Sequence, residues 1–443
     1  MAVIERSAPG AAGGELATGS RASWALDALN FTLADVRDGL GPYLAIYLLA
    51  VRGPQQGWDE ATIGLVMTIA GVAGLVAQTP AGALIDRTSR KRSVVIAAAL
   101  AVTLSSLALP FIGSFAAVAA TQSIAGVAGA VFPPALAAIT LGIVGPQAFA
   151  RRIGRNEAFN HAGNAVSAGI AAACATLFGP VVVFWLMALL AVLSIGATLL
   201  IPAAAVDDAV ARGLDHSAGG AAQAPSGWRT LLENRLLLLF AVLAALFHLA
   251  NAAMLTSVSQ LLSKLAGKES ATSMVALCIV AAQLVMVPVA MLVGARADRW
   301  GRKPLFLTAF GVLAVRGALY TLSDEPMALV AVQCLDGVGA GIYGALFPVV
   351  VADLTRGTGH FNVAQGAVGA AQGLGAALST SLAGFIIVRF GYTAAFLGLA
   401  GVAAAGFALY AVLMPETGVH GCDQSRRPHP RTRRRIAAGI RRL

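Results

Sequence analysis

AGALIDRTSRKR at residues 81–92 and VGARADRWGRK at residues 293–303 decide the fold of this chain. Each follows a long apolar run and carries a Gly, an Asp-Arg pair and then a basic pair. Asp86 and Asp298 stand 212 positions apart, close to half of the 443 residues. A charged hinge repeated once per half, between apolar segments, predicts a membrane protein made of two similar halves. A second repeat agrees: QSIAGVAGAVF (Gln122–Phe132) matches QCLDGVGAGIY (Gln333–Tyr343) at an offset of 211. The small residues in both copies let neighbouring helices approach closely.

Composition points the same way. The chain is 58% hydrophobic and 12% charged, with a mean hydropathy of +0.77. Soluble domains carry about 25% charged residues, so a soluble protein is excluded. Apolar runs reach the ~20 residues needed to cross the hydrocarbon core. They place twelve spans near 24–51, 61–85, 93–113, 115–144, 157–178, 180–202, 235–262, 270–294, 304–323, 326–353, 362–389 and 391–414. The short alternating strands of a membrane β-barrel are missing. Residues 1–23 read as a disordered tail without a secretory h-region. Residues 24–202 and 235–414 form two six-helix bundles, joined by a solvated linker at 203–234 that contains Asp207, Asp208 and Asp215. Residues 415–443 form a basic tail.

Orientation follows from Lys and Arg. One set of loops holds Arg52, Lys264, Lys268 and Arg389, while Arg37 and Arg316 fall inside spans. Every other Lys or Arg of the 31 lies on the opposite side, together with both termini. That side reads as cytoplasmic, in a bacterial-type inner membrane. The net charge of +10 is then a topology signal, and the Arg-rich tail (Arg426 to Arg442) is a contact for anionic lipid rather than for nucleic acid.

Twelve spans as six plus six, with G-x-x-x-D-R-x-x-R-K after spans 2 and 8, resemble the major facilitator superfamily over residues 24–414. The resemblance implies an all-α fold of two pseudo-symmetric six-helix bundles and transport by alternating access. It also implies a gate at the motif loops: Gly82, Asp86, Arg87, Arg90 and Lys91 in one half, and Gly294, Asp298, Arg299, Arg302 and Lys303 in the other. A helix N-terminus presents unpaired N–H groups and partial positive charge. Asp86 is therefore expected to cap span 11 near Asn362, and Asp298 to cap span 5 near Glu157. Arg299 is expected to reach Asp353. Loop charges that merely fix topology are the alternative.

Charges inside spans carry the functional argument, because an Asp, Lys or Arg at a helix centre costs roughly 2.5–3.5 kcal/mol. Asp35, Arg37 and Asp38 of span 1 must pair or face a wet cavity, which span 1 lines in the family. At an offset of 213, His248 and Asn251 of span 7 align with Asp35 and Asp38. Burial raises a carboxyl pKa and a neighbouring Arg lowers it, so these residues form a candidate substrate or proton site. A structural Asp–Arg pair, and a satisfied core histidine at His248, are the alternatives. Asn164, Gln122 and Gln333 are added as neutral cavity groups. The family often has Arg where this chain has Gln122, and its drug exporters carry a Gly-Pro motif where this chain has Gly163–Asn164. Arg316 and Asp336, matched in depth on adjacent spans, are expected to form an intramembrane ion pair with a structural role.

Four scattered Cys indicate neither disulfides nor a metal site. No phosphate loop for ATP is present, and the His residues are too scattered for a catalytic constellation. The sequence thus predicts a monomeric secondary transporter, without cofactor, metal or catalytic residues. Its expected cargo is a small polar or charged organic solute, coupled to protons, with a lean to export. A proton-coupled uptake permease and a membrane ligand sensor without net flux are the competing readings.

Overall fold

The computed structural model describes residues 11–38, 41–179, 181–214, 228–265 and 267–418. Residues 215–227 of the linker, with Asp215, lie outside the described part, as does the basic tail from 419 onward, with its expected lipid contact. Among the described residues there are thirteen α-helices and no strand. The first half holds α1 (Ala11–Asp38), α2 (Gly41–Gln56), α3 (Glu60–Arg87), α4 (Lys91–Leu107), α5 (Phe115–Gly129), α6 (Phe132–Phe178) and α7 (Val182–Leu200). The second holds α8 (Trp228–Glu233), α9 (Arg235–Leu265), α10 (Gly267–Trp300), α11 (Arg302–Leu319), α12 (Pro326–Thr355) and α13 (Phe361–Leu413). Helix α1 starts within the segment expected to be a disordered tail.

Helices α6 and α13 contain 47 and 53 residues. At ~1.5 Å per residue, either would run far beyond a ~30 Å hydrocarbon core. Each instead reverses at a glycine with positive φ, Gly145 (φ 70) and Gly391 (φ 83), a conformation that side chains disfavour. Asn156 Nδ2 donates to Thr140 Oγ1 at 2.8 Å across the first reversal. Both ends of the α13 double pass lie on one face, Asn362 against Asp86 and Glu416 against the start of α11. With α1 and α2 counted as one crossing, α5 and the short first leg of α6 as another, and α13 as two, the described helices give twelve crossings, in two bundles of six. The fifth crossing is helical from Pro146, not from about 157, because Pro after a positive-φ Gly sets the first helical position.

Each half has its own apolar interior. Leu26, Leu29, Leu33, Tyr47, Val66, Phe132 and Phe184 anchor the first. The second is built around rings of Phe240, Phe247, Phe306, Phe310, Tyr343 and Tyr410, packed face to face and edge-on. Large apolar side chains such as Leu104, Val192, Leu284, Val388 and Val412 are exposed on the outside. An apolar exterior of this kind is what a lipid-facing surface requires.

The linker's beginning is not a solvated tether. Backbone N–H of Asp207 donates to Gly142 O at 3.0 Å, and Asp208 pairs at 2.6 Å with Lys91, which is 1% exposed. On the other side, Asn362 Nδ2 donates to Ala211 O at 2.9 Å and Gly357 N to Gly213 O at 2.6 Å. Residues 203–214 are thus wedged between the halves, with Val210 and Ala211 buried. An Ala-rich segment can fill such a seam, and the two Asp residues, each partly exposed, satisfy groups there.

Candidate functional site

The face that carries the two motif loops is closed by contacts between the halves. At the end of α3, Asp86 is fully buried and accepts from Asn362 Nδ2 at 2.8 Å, Val363 N at 2.8 Å and Asn362 N at 3.3 Å. These donors are the first turn of α13, whose N–H groups have no partner within the helix, so a carboxylate is the matching acceptor. Gly82, one turn earlier, lies against the Asn362 carbonyl so closely that any Cβ would collide with backbone. The other seam is glycine on glycine. A Cβ on Gly294 of α10 would stand 2.7 Å from Gly154 Cα and 2.9 Å from Ala150 O of α6.

The second motif copy is wired differently. Asp298 is 53% exposed and pairs with Arg302 at 2.7 Å. It does not cap span 5, because that helix runs unbroken from Pro146 and the N–H groups near Glu157 are already used. Arg302, not Arg299, reaches Asp353, at 3.1 Å. Arg302 is nearly buried, whereas Arg87, Arg90 and Arg299 are exposed. Glu416, just past α13, accepts from backbone N–H of Arg302 (2.8 Å) and Lys303 (3.0 Å), capping α11 from outside. Burial alone would raise the Glu416 carboxyl. The N–H groups of Gly418, Arg302 and Lys303 and the Arg302 guanidinium hold it below its ordinary value.

On the far side of these seals, a cavity of about 990 Å³ lies between the halves. Helices α1, α3, α5 and α6 supply one wall and α12 and α13 the other. Its polar lining is mostly amide: Asn30, Gln78, Gln122, Asn156, Gln365 and Gln372. Arg37 and Glu157 are its charged members. At its base, Asp27 is clamped by Arg152 (2.7 Å) and Arg155 (2.6 Å), which fixes α1 to α6.

A buried polar cluster inside the second half lies apart from this cavity. Arg316, 1% exposed, donates to Asp336, to Asn251 Oδ1 at 2.7 Å and to the Met254 thioether at 3.3 Å. Gln333 Nε2 donates to Asp336 at 3.2 Å, and Tyr320 donates to Gln333. Each of the three guanidinium nitrogens has an acceptor, as a charge removed from water requires.

The sequence model of the Major Facilitator Superfamily matches residues 25–294 and 269–440. The chain belongs to the major facilitator superfamily. Two Mycobacterium tuberculosis proteins, each described as an uncharacterized MFS-type transporter, are 57% identical over 397 residues, covering 90% of this chain and 94% of theirs. Among solved structures, a proton:xylose symporter superposes with a TM-score of 0.69 at 13% identity, over 91% of this chain and 97% of its own. A human organic anion transporter superposes with a TM-score of 0.65 at 16% identity, over 88% and 99%.

Within this superfamily fold, the residues singled out from sequence separate into two groups. Arg37 and Gln122 line the cavity between the halves. Asp35 and Asn164 are half-buried on α1 and α6, and the Asp38 side chain lies outside the described part. His248 and Asn251 do not join span 1 across the cavity. Asn251 is drawn to Arg316, whose buried guanidinium needs acceptors beyond one carboxylate, and the His248 ring packs edge-on against Tyr343 at 4.7 Å. Gln333 belongs to the same cluster. Sequence reasoning missed Glu157 as a cavity residue because it was placed at a helix start. Its spacing four residues before His161 was the available signal.

Proposed function

We propose that this superfamily member is a secondary transporter for a small polar or charged organic solute, proton-coupled and working by alternating access. Its motif face is cytoplasmic by the distribution of Lys and Arg, with both termini on that side of a bacterial-type inner membrane. The observation that carries this reading is the 990 Å³ cavity between two halves that are sealed on the motif face. Its size is at the upper end for small-molecule sites. Its amide groups with a single Arg and a single Glu suit a solute with several hydrogen-bonding groups and some charge. Glu157 and the neighbouring His161 supply titratable groups for protons, and a proton:xylose symporter shares the fold. Export is preferred as the direction.

The test compares metabolites inside and outside cells that express wild type or Arg37→Gln at matched levels. A compound redistributed by wild type, and much less by the variant, supports the reading and reports direction. If wild type redistributes nothing against a vector control while folded in the membrane, the transport reading fails.

A further inference from the structure

A second set of residues deepens the proton-coupled reading above and rests on it. His161 lies on α6 where that helix crosses α10 of the other half. Its Nδ1 lies 2.8 Å from Gln283 Oε1. In this orientation of the amide, whose oxygen can only accept, Nδ1 carries the hydrogen of the neutral ring. The lone pair is therefore left on Nε2, which is buried and has no hydrogen-bond partner. Nε2 faces Glu157 Oε2 at 3.9 Å, and Glu157 lines the cavity. We infer that Glu157 and His161 are the proton-binding site of this transporter, and that Gln283 conveys their charge state to the seam between the halves.

The step is a simple proton addition. A proton from the cavity reaches Glu157 and is taken up on Nε2, giving an imidazolium beside a carboxylate, with no other bond made or broken. The ring then donates from both nitrogens, and its bond to Gln283 becomes charge-assisted and stronger. That bond spans α6 and α10 along the same seam as Gly154 and Gly294. Protonation therefore holds the motif face closed, and proton loss loosens it. The surrounding charges do not duplicate the pair. Asp27 of α1 is occupied by Arg152 and Arg155, and Asp35 and Arg37 lie further along α1. From α10 the facing group is the neutral Gln283, and from α12 it is Gly344.

The full chain, freed of its native cysteines and carrying Ala150→Cys in the seam, is labelled with a polar maleimide across a pH series, each rate corrected for thiolate fraction. The wild-type background is expected to label faster as pH rises, with a single midpoint. His161→Gln should abolish that midpoint, Glu157→Gln should shift it, and Gln283→Leu should flatten the labelling. An unchanged midpoint in both His161→Gln and Glu157→Gln overturns the site. If His161→Gln does not fold, Glu157→Gln and Gln283→Leu decide the matter alone. A wild-type midpoint without any flux driven by a pH gradient supports the site while refuting coupled transport.

Discussion

Asp86→Asn is the sharpest perturbation of the gate. The carboxylate is fully buried and receives three hydrogen bonds from Asn362 and Val363. Asparagine keeps one oxygen but turns an NH2 group toward an N–H donor of the α13 first turn. A hydrogen bond to a charged group contributes about 1.5–3 kcal/mol, and the charge at a helix N-terminus about 0.3–1 kcal/mol more. Relief of the buried charge's desolvation offsets part of this, leaving about 2 kcal/mol lost from the closed state. At about 1.4 kcal/mol per tenfold, the balance moves roughly 30-fold toward opening on the motif face. The assay is maleimide labelling of a reporter at Ala364→Cys, 1% exposed beside the seal, in an otherwise cysteine-free chain. The labelling rate should rise by more than tenfold, on the same scale. A change of less than about twofold, in protein that elutes and melts like wild type, would refute the argument that Asp86 holds the halves together.

Other consequences follow from single contacts. Gly294→Val places a branched side chain where Gly154 Cα and Ala150 O already meet a Cβ position at 2.7 and 2.9 Å, so reporter labelling at Ala364→Cys should rise here too. Asp336→Asn leaves Arg316 buried without its counter-charge and should cost about 3–5 kcal/mol, read as thermal unfolding in detergent. The charge-swapped double variant should recover only part of that loss, because Asn251 and Gln333 are oriented for the native polarity, whereas Arg316→Met with Asp336→Leu should recover more. Glu416→Gln should weaken the α11 start. Because the folded Glu416 carboxyl lies below its ordinary 4.5, the stability difference from wild type is full above that pH and closes as pH falls through the folded value.

What the sequence made legible was whatever needs only position along a helix axis. Crossings, the two motif loops and the depth match of Arg316 with Asp336 follow from counting residues between charged turns. Rotation about the axis is a different matter, because it depends on what each neighbour demands. Asn251 aligns by repeat offset with Asp38, yet its amide turns toward Arg316, since a buried guanidinium takes any acceptor within reach. Helix starts were misjudged for a related reason. The run Arg151, Arg152, Arg155 and Glu157 looks like the end of an aqueous loop, but α6 is already helical there and Asp27 pairs with two of its cations. That misplacement hid both the unbroken helix that denies Asp298 a cap and the Glu157–His161 pair at the cavity wall. Asp207 and Asp208 show the same limit from the opposite side. Their charge suggested water, while Lys91, 1% exposed, required Asp208 as a partner and drew the linker into the seam. The glycines of both copies thus meet the other half, but the charged residues divide the work: Asp86 bonds one half to the other, and Arg302 braces its own half.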